Sequence, residues 1–242
     1  MPHFYRPLKG MNLFFTADIQ NGEARLHEEE ARHCVQVLRM QPGDPITLVD
    51  GKGAWYEGML TEATKKACRV AIQQQRQLAP PPARVHIGIA PTKSIERFEW
   101  FLEKATEIGV DVITPLWCER SERRQIRADR LEKILVAAMK QSLKAILPQL
   151  REPVFLKDFI VQNADYQRFI ACLNVPAYPH LKQVYQVGEP ALVLIGPEGD
   201  FSPTEIRHAL EQGWQGVSLG ASRLRTETAG VVACHILQLL SE

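Results

Sequence analysis

The apolar and polar positions change rhythm once along the chain. Up to about position 78 they read mainly as short strands. Residues 44–49 run into Asp50-Gly51-Lys52-Gly53, a good hairpin turn, and 55–60 and 67–72 supply further strands. One helical stretch interrupts them: 28–38 places Ala31, Cys34, Val35 and Leu38 on one face, and the glutamates of its first turn suit the helix dipole. Several short strands with one helix predict a small β-barrel-like module.

The rhythm changes at Ala79-Pro80-Pro81-Pro82-Ala83, which follows a glutamine-rich polar run. A proline cluster is a stiff, extended connector, so a domain boundary is expected there. Beyond it strands and helices alternate, the signature of βαβ units and a mostly parallel sheet. The predicted strands are 84–90, 112–116, 169–173, 191–195 and about 216–219. Residues 191–195 are almost wholly apolar, as a central strand buried on both faces must be. Ser94 is expected to cap a helix that buries Ile95, Phe98, Phe101, Leu102, Ala105 and Ile108 and stops at Gly109. A second helix is predicted over 129–147, ending at Pro148, and a last one from Thr226 or Glu227 to Leu240.

Composition narrows the class without choosing a function. The chain has 242 residues, 45% hydrophobic and 24% charged, enough for two globular domains. With 29 basic and 28 acidic residues there is no overall basic field, so any nucleic-acid surface has to be a local patch. The five cysteines are scattered, which disfavours zinc-finger and thioredoxin-type sites and fits reduced thiols; no metal is expected. No apolar run suits a signal peptide or a membrane span, which needs roughly 18 residues. A cytoplasmic protein without a membrane partner is expected.

Two loops concentrate candidate chemistry. The first follows the strand 191–195: Gly196-Pro197-Glu198-Gly199-Asp200-Phe201-Ser202-Pro203-Thr204-Glu205. Ser202 as N-cap, Pro203 at the first helical position and Glu205 form a capping box. The loop therefore lies at the carboxyl end of a central strand, where open α/β sheets bind ligands. Gly196 and Gly199 admit close backbone approach, and Glu198 between them is costly to bury unless partnered. The second loop, Leu219-Gly220-Ala221-Ser222-Arg223-Leu224-Arg225-Thr226-Glu227-Thr228-Ala229-Gly230, also joins a strand to a helix, with Thr226 a plausible N-cap. A pair of well-capped βα turns would account for either loop alone. Neither G-x-x-x-x-G-K-[ST] nor G-x-G-x-x-G occurs, so P-loop and Rossmann enzymes are disfavoured.

Gly196-Pro197-Glu198-Gly199 together with Leu219-Gly220 and Leu224-Arg225-Thr226-Glu227-Thr228-Ala229 resembles the SPOUT class of RNA methyltransferases. More narrowly the chain resembles the ribosomal RNA small subunit methyltransferase E family, the uracil-N3 enzymes. Val37-Leu38-Arg39-Met40, Pro42-Gly43-Asp44, Lys104 to Val110 and Ile113-Thr114-Pro115-Leu116 followed by Glu119-Arg120 extend the likeness over nearly the whole chain. One run departs: Lys140-Gln141-Ser142-Leu143-Lys144 keeps the family's glutamine and serine but not its glycine and arginine.

The resemblance implies a PUA-like β-barrel RNA-binding domain over 1–78 and an α/β SPOUT methyltransferase domain with a trefoil knot over 83–242. It also implies a homodimer, S-adenosyl-L-methionine as cofactor, and small-subunit ribosomal RNA or the assembled small subunit as partner. Leu194, Gly196, Pro197, Glu198, Gly199, Leu219, Gly220, Leu224, Thr226, Thr228 and Ala229 are the expected cofactor residues. Arg225 is expected to stabilise the uracil anion or grip a phosphate, its rival role being a salt bridge to Glu198 or Glu227. Glu227 either accepts the N3 proton or merely serves a helix N-terminus. The run 120–130 reads as a phosphate track or a solvated face, with Arg120, Arg123 and Arg124 as RNA candidates beside Arg39. Arg6, Lys9 and Lys52 are weaker candidates. The rivals are modification of another RNA or of a ribose hydroxyl, a non-catalytic RNA-binding protein of the same fold, and an α/β phosphate enzyme.

Overall fold

The hydrophobic pattern closes into two sets of strands in the computed structural model, which describes residues 12–79, 84–173 and 178–241. The chain divides into two units: Met1–Pro80 with Met139–Leu147, and Pro81–Ala138 with Pro148–Glu242. Residues 80–83 of the proline connector, with Arg6 and Lys9, lie outside the described residues.

In the first unit β1 (Leu13–Phe15), β2 (Ile19–Gln20), β3 (Glu23–His27), β4 (Pro45–Val49), β5 (Ala54–Ala63) and β6 (Ala67–Gln77) form one sheet in the order β1-β4-β5-β6-β3-β2. All pairs are antiparallel except β1 with β4. The turn between β4 and β5 needs its glycines, since Gly51 and Gly53 take φ of 75° and 98°. The predicted 28–38 helix is real but not uniform. Helix α1 (Glu28–Arg32) passes into a π-helical turn at His33–Val37, with Leu38 as its C-cap. Ala31 and Cys34 are buried and Val35 and Leu38 pack on the same core, as the spacing requires. Arg39 follows in the left-handed region at φ 56°.

The second unit holds a seven-stranded, wholly parallel sheet. Its strands are β7 (Val85–Ile89), β8 (Val112–Trp117), β9 (Gln149–Leu150), β10 (Val154–Phe155), β11 (Gln167–Ala171), β12 (Ala191–Ile195) and β13 (Gln215–Val217). The order is β10-β8-β7-β12-β11-β13, with β9 also on β8. Every residue of β12 is buried, which explains its unbroken apolar run. The chain leaves β7 towards β8, crosses to β11 and inserts β12 between β11 and β7, so strand order reverses at β7/β12. Such a switch point opens a crevice at the carboxyl ends of the strands.

Three helix expectations are corrected. Helix α2 (Ile95–Ile108) starts after Ser94 and stops at Gly109, φ 121°, but the Ser94 hydroxyl donates to Glu96 at 2.6 Å instead of capping a backbone N–H. Helix α3 (Ala128–Gln141) ends well short of Pro148, because Leu143 takes φ 54° and turns the chain out of the helix. Short helices α4 (Leu156–Phe159) and α5 (Leu181–Val184) and helix α6 (Pro203–Glu211) precede α7 (Thr226–Ser241). In α7, Thr226 is the first helical residue and its hydroxyl is engaged elsewhere, so it is not an N-cap. The helices α2 and α7 pack closely: a Cβ on Gly230 would lie 2.6 Å from the Phe101 ring. Among the described residues no helix is long and apolar enough to cross a membrane.

Candidate active site

Three adjacent strands, β12, β11 and β13, end side by side, and the loops leaving them enclose a cavity of about 620 Å³. Its wall comes from Ala171–Leu173 after β11, 195–200 after β12 and 217–226 after β13, with Ala229 and, from α2, Arg97. The two loops singled out in the sequence meet there. The Thr226 hydroxyl donates to the Gly196 carbonyl at 3.0 Å, a buried bond across 30 positions.

The first loop is a tight return. A Cβ on Gly196 would sit 3.0 Å from the Phe201 backbone nitrogen, so glycine lets the loop return closely on itself. Asp200 takes φ 60° and uses both carboxylate oxygens: one accepts the Phe201 N–H at 2.8 Å, the other the Leu173 N–H at 3.0 Å. This ties the loop to the end of β11. Beyond it the expected capping box is present, with Ser202 and Glu205 exchanging hydrogen bonds of 2.8 and 3.1 Å. Glu205 also accepts the Glu119 N–H at 2.8 Å, which satisfies a carboxylate that is 9% exposed.

The region after β8 holds the loops from outside. Arg120 donates to the carbonyls of Gly199 at 2.6 Å and Phe201 at 3.3 Å. Arg123 donates to the carbonyls of Thr92 and Lys93, the latter at 2.7 Å. Glu198, expected to need a partner if buried, is exposed and accepts the Lys93 N–H at 2.8 Å. The loop after β7 is thus gripped from both sides. Arg127 pairs with Asp129 and Arg130 with Glu99, whereas Arg124 makes no hydrogen bond or ion pair among the described residues.

Of the expected cofactor residues, Gly196, Pro197, Glu198, Gly199, Leu219, Gly220, Leu224, Thr226 and Ala229 line the cavity. Leu194 and Thr228 do not. Leu194 lies inside β12 and packs in the core against the position of Gly88. Thr228 is two residues past Thr226 on α7, a rotation of about 200° that carries it off the wall. Arg225 is exposed at the cavity and pairs with neither Glu198 nor Glu227. Glu227 is buried, outside the lining; one of its oxygens is 3.9 Å from the Arg97 guanidinium and the other has no hydrogen-bond partner among the described residues.

Arg97, Cys172 and Asp200 also line the wall, beyond the expected set. Asp200 had a signal, since it continues the glycine-bearing turn. Arg97 and Cys172 had none, because they reach the cavity from other strands' loops. The Cys172 thiol is pushed up to about 12 by burial first and by the nearby Asp200, so it stays protonated and unreactive near neutrality.

The cavity suits an adenosyl ligand with an amino-acid tail. Its size falls in the range for such pockets, its wall mixes apolar and charged groups, and residues 219–225 donate only one backbone hydrogen bond within the described protein, Gly220 to the Ser218 hydroxyl. The remaining N–H groups of that loop are available to a ligand. Among the described residues no cluster of three potential metal ligands occurs.

Comparison with known proteins agrees with the geometry. The family model for the RNA methyltransferase domain matches residues 79–238, and that for the RNA methyltransferase PUA domain matches 26–73. A probable rRNA-methyltransferase from Porphyromonas gingivalis is 45% identical with a TM-score of 0.89, over 96% of this chain and 98% of that one. The ribosomal RNA small subunit methyltransferase E of Neisseria gonorrhoeae, solved bound to S-adenosyl methionine, is 27% identical with a TM-score of 0.83, over 95% and 98%. The protein of the same description from Synechocystis sp. is 28% identical over 98% of this chain and 78% of its own length. With a cofactor-sized cavity at the carboxyl ends of β11, β12 and β13 and a family match across most of its length, the chain belongs to the RNA methyltransferases and carries their PUA domain at its N-terminal end.

Proposed function

We propose that this protein transfers a methyl group from S-adenosyl-L-methionine to the N3 atom of one uridine in small-subunit ribosomal RNA, in the cytoplasm and as a homodimer. The observation that carries the reading is the convergence of the 196–200 and 219–226 loops, tied by the Thr226–Gly196 bond, into one cavity. The SPOUT resemblance supports a trefoil knot in the domain assigned to 83–242, dimer formation, and RNA binding by the PUA-like domain assigned to 1–78.

The bound cofactor supplies an electrophilic methyl group on a sulfonium. The protein's share of the work is positioning and charge. Gly196, Gly220 and Leu224 shape the adenosine pocket through backbone contacts, and Asp200 keeps the first loop closed on it. Uracil N3 becomes a good nucleophile only after losing its proton, which leaves negative charge on the ring. Arg225, exposed on the wall and unpaired among the described residues, stabilises that charge. Glu227 accepts the N3 proton through water, since it lies behind the lining; Arg97 keeps its carboxylate neutralised meanwhile.

Arg225→Ala is expected to lower turnover by about a hundred- to a thousandfold while cofactor affinity, measured by calorimetry, stays close to wild type. Nucleoside mass spectrometry of treated ribosomal RNA reads the product. A 2′-O-methylated nucleoside in place of 3-methyluridine would overturn the N3 assignment, and an undiminished variant would remove Arg225 from the mechanism.

A further inference from the structure

A second surface of the same unit has the chemistry of a single-strand platform. Trp117 ends β8 and stands in register with Phe155, the last residue of β10 at the sheet edge. Neighbouring residues in register lie on the same face of a sheet. Phe155 is 48% exposed, an aromatic ring left in solvent at a place where packing does not need it. Trp117 and Arg124 both line a cavity of about 590 Å³ and another of about 220 Å³.

The charge around these rings is basic. Arg124 is exposed and has no partner among the described residues, Lys157 stands 5.9 Å over the Phe155 ring, and Arg123, Arg127 and Arg130 border the larger cavity. Of the acids lining these cavities, Glu99 pairs with Arg130 and Glu205 accepts two backbone N–H groups, while Glu119 is exposed beside Arg124 and Lys157, so cations outnumber free carboxylates. An exposed Phe155 ring and a half-buried Trp117, with Arg124 free of ion pairs among the described residues, fit bases that stack and phosphates that need neutralising, with no requirement for a particular base.

This surface is also wired to the cofactor cavity. Arg123 borders the groove and grips the Lys93 carbonyl, and the Lys93 N–H is held by Glu198 of the cavity wall. We propose that Trp117, Phe155 and Arg124 form a stacking subsite for a single-stranded RNA segment flanking the target uridine, distinct from the cofactor cavity and linked to it through Arg123 and Lys93. The proposal rests on the reading of the chain as a ribosomal RNA methyltransferase and adds a place where the substrate strand is held.

The test uses the full chain with S-adenosylmethionine and a fluorescent single-stranded RNA of about 16 nucleotides, titrated at several salt concentrations. Phe155→Ala is expected to weaken binding about 5- to 160-fold, the range for losing one stacked base. Arg124→Gln is expected to lower the slope of log affinity against log salt by about 0.7, the value for one phosphate contact on a single strand, and Arg124→Lys to restore it. Cofactor affinity of each variant by calorimetry should match wild type, which separates the loss from misfolding. If both variants bind the RNA with wild-type affinity and slope while wild type methylates ribosomal RNA, the subsite falls and the proposed function stands. If wild type neither binds nor methylates RNA, both fall.

Discussion

Single atoms decide whether the two cofactor loops stay together. Among the described residues the Thr226 hydroxyl makes the one side-chain hydrogen bond joining the 196–200 and 219–226 loops, and its acceptor, the Gly196 carbonyl, is buried. Thr226→Val keeps the shape and removes the donor, leaving that carbonyl unpaired at about 1–3 kcal/mol. A lower urea midpoint together with weaker cofactor binding is expected; unchanged values of both would show that the loops are held by packing instead. The role of Thr226 was not legible from its neighbours. A threonine before a helix reads as an N-cap, and only the approach of a segment 30 positions away turns its hydroxyl outward. The same holds for Ser94, drawn to Glu96, and for Arg120 and Arg123, whose donors reach backbone carbonyls of loops distant in sequence.

Among the elements, α6 shows local sequence reading at its strongest. Ser202, Pro203 and Glu205 lie within one turn of each other, so their bonds follow from spacing alone, and the capping box is where it was expected. Glu205 has a further task that spacing does not disclose, accepting the Glu119 N–H beyond β8. Ser202→Ala should therefore cost about 1 kcal/mol, and Glu205→Ala more, since it strands two backbone donors instead of one. Thermal denaturation of the two variants checks the order; equal losses would mean the bond to Glu119 contributes nothing. Two backbone irregularities in the helices were not legible in the sequence. Leu143 in α3's exit adopts a left-handed conformation that no residue type announces, and the π-helical turn after α1 continues a helical pattern with one residue more per turn.

For the whole molecule, one buried titratable group links stability to pH. His86 sits in β7, fully buried, with Nε2 against the Thr114 hydroxyl at 2.8 Å and its ring edge-on to Phe159 and Tyr166. Burial first, then Arg151 and Arg84, push it from 6.5 down to about 3. Above 6.5 the ring is neutral folded or unfolded, so stability is intact. As pH falls from there towards 3, the unfolded chain takes up a proton that the folded one refuses, and stability drops by about 1.4 kcal/mol per pH unit. Urea midpoints measured across that window should fall less steeply in His86→Leu than in wild type. Parallel slopes would place the acid sensitivity elsewhere.

What the chain's order of residues determined by itself is whatever short-range physics controls: the βαβ alternation, the buried run of β12, the capping box of α6, the glycines at turns, and the two motif-bearing loops. Periodicity and capping act within a few residues, so one chain shows them. Tertiary structure alone decided that those loops share one cavity, that Arg97 and Cys172 help line it, and that Leu194 and Thr228 stand outside it. It also brought Trp117 and Phe155 side by side on adjacent strands. Those neighbours are set by strand order and register, which arise from packing between segments far apart in the chain.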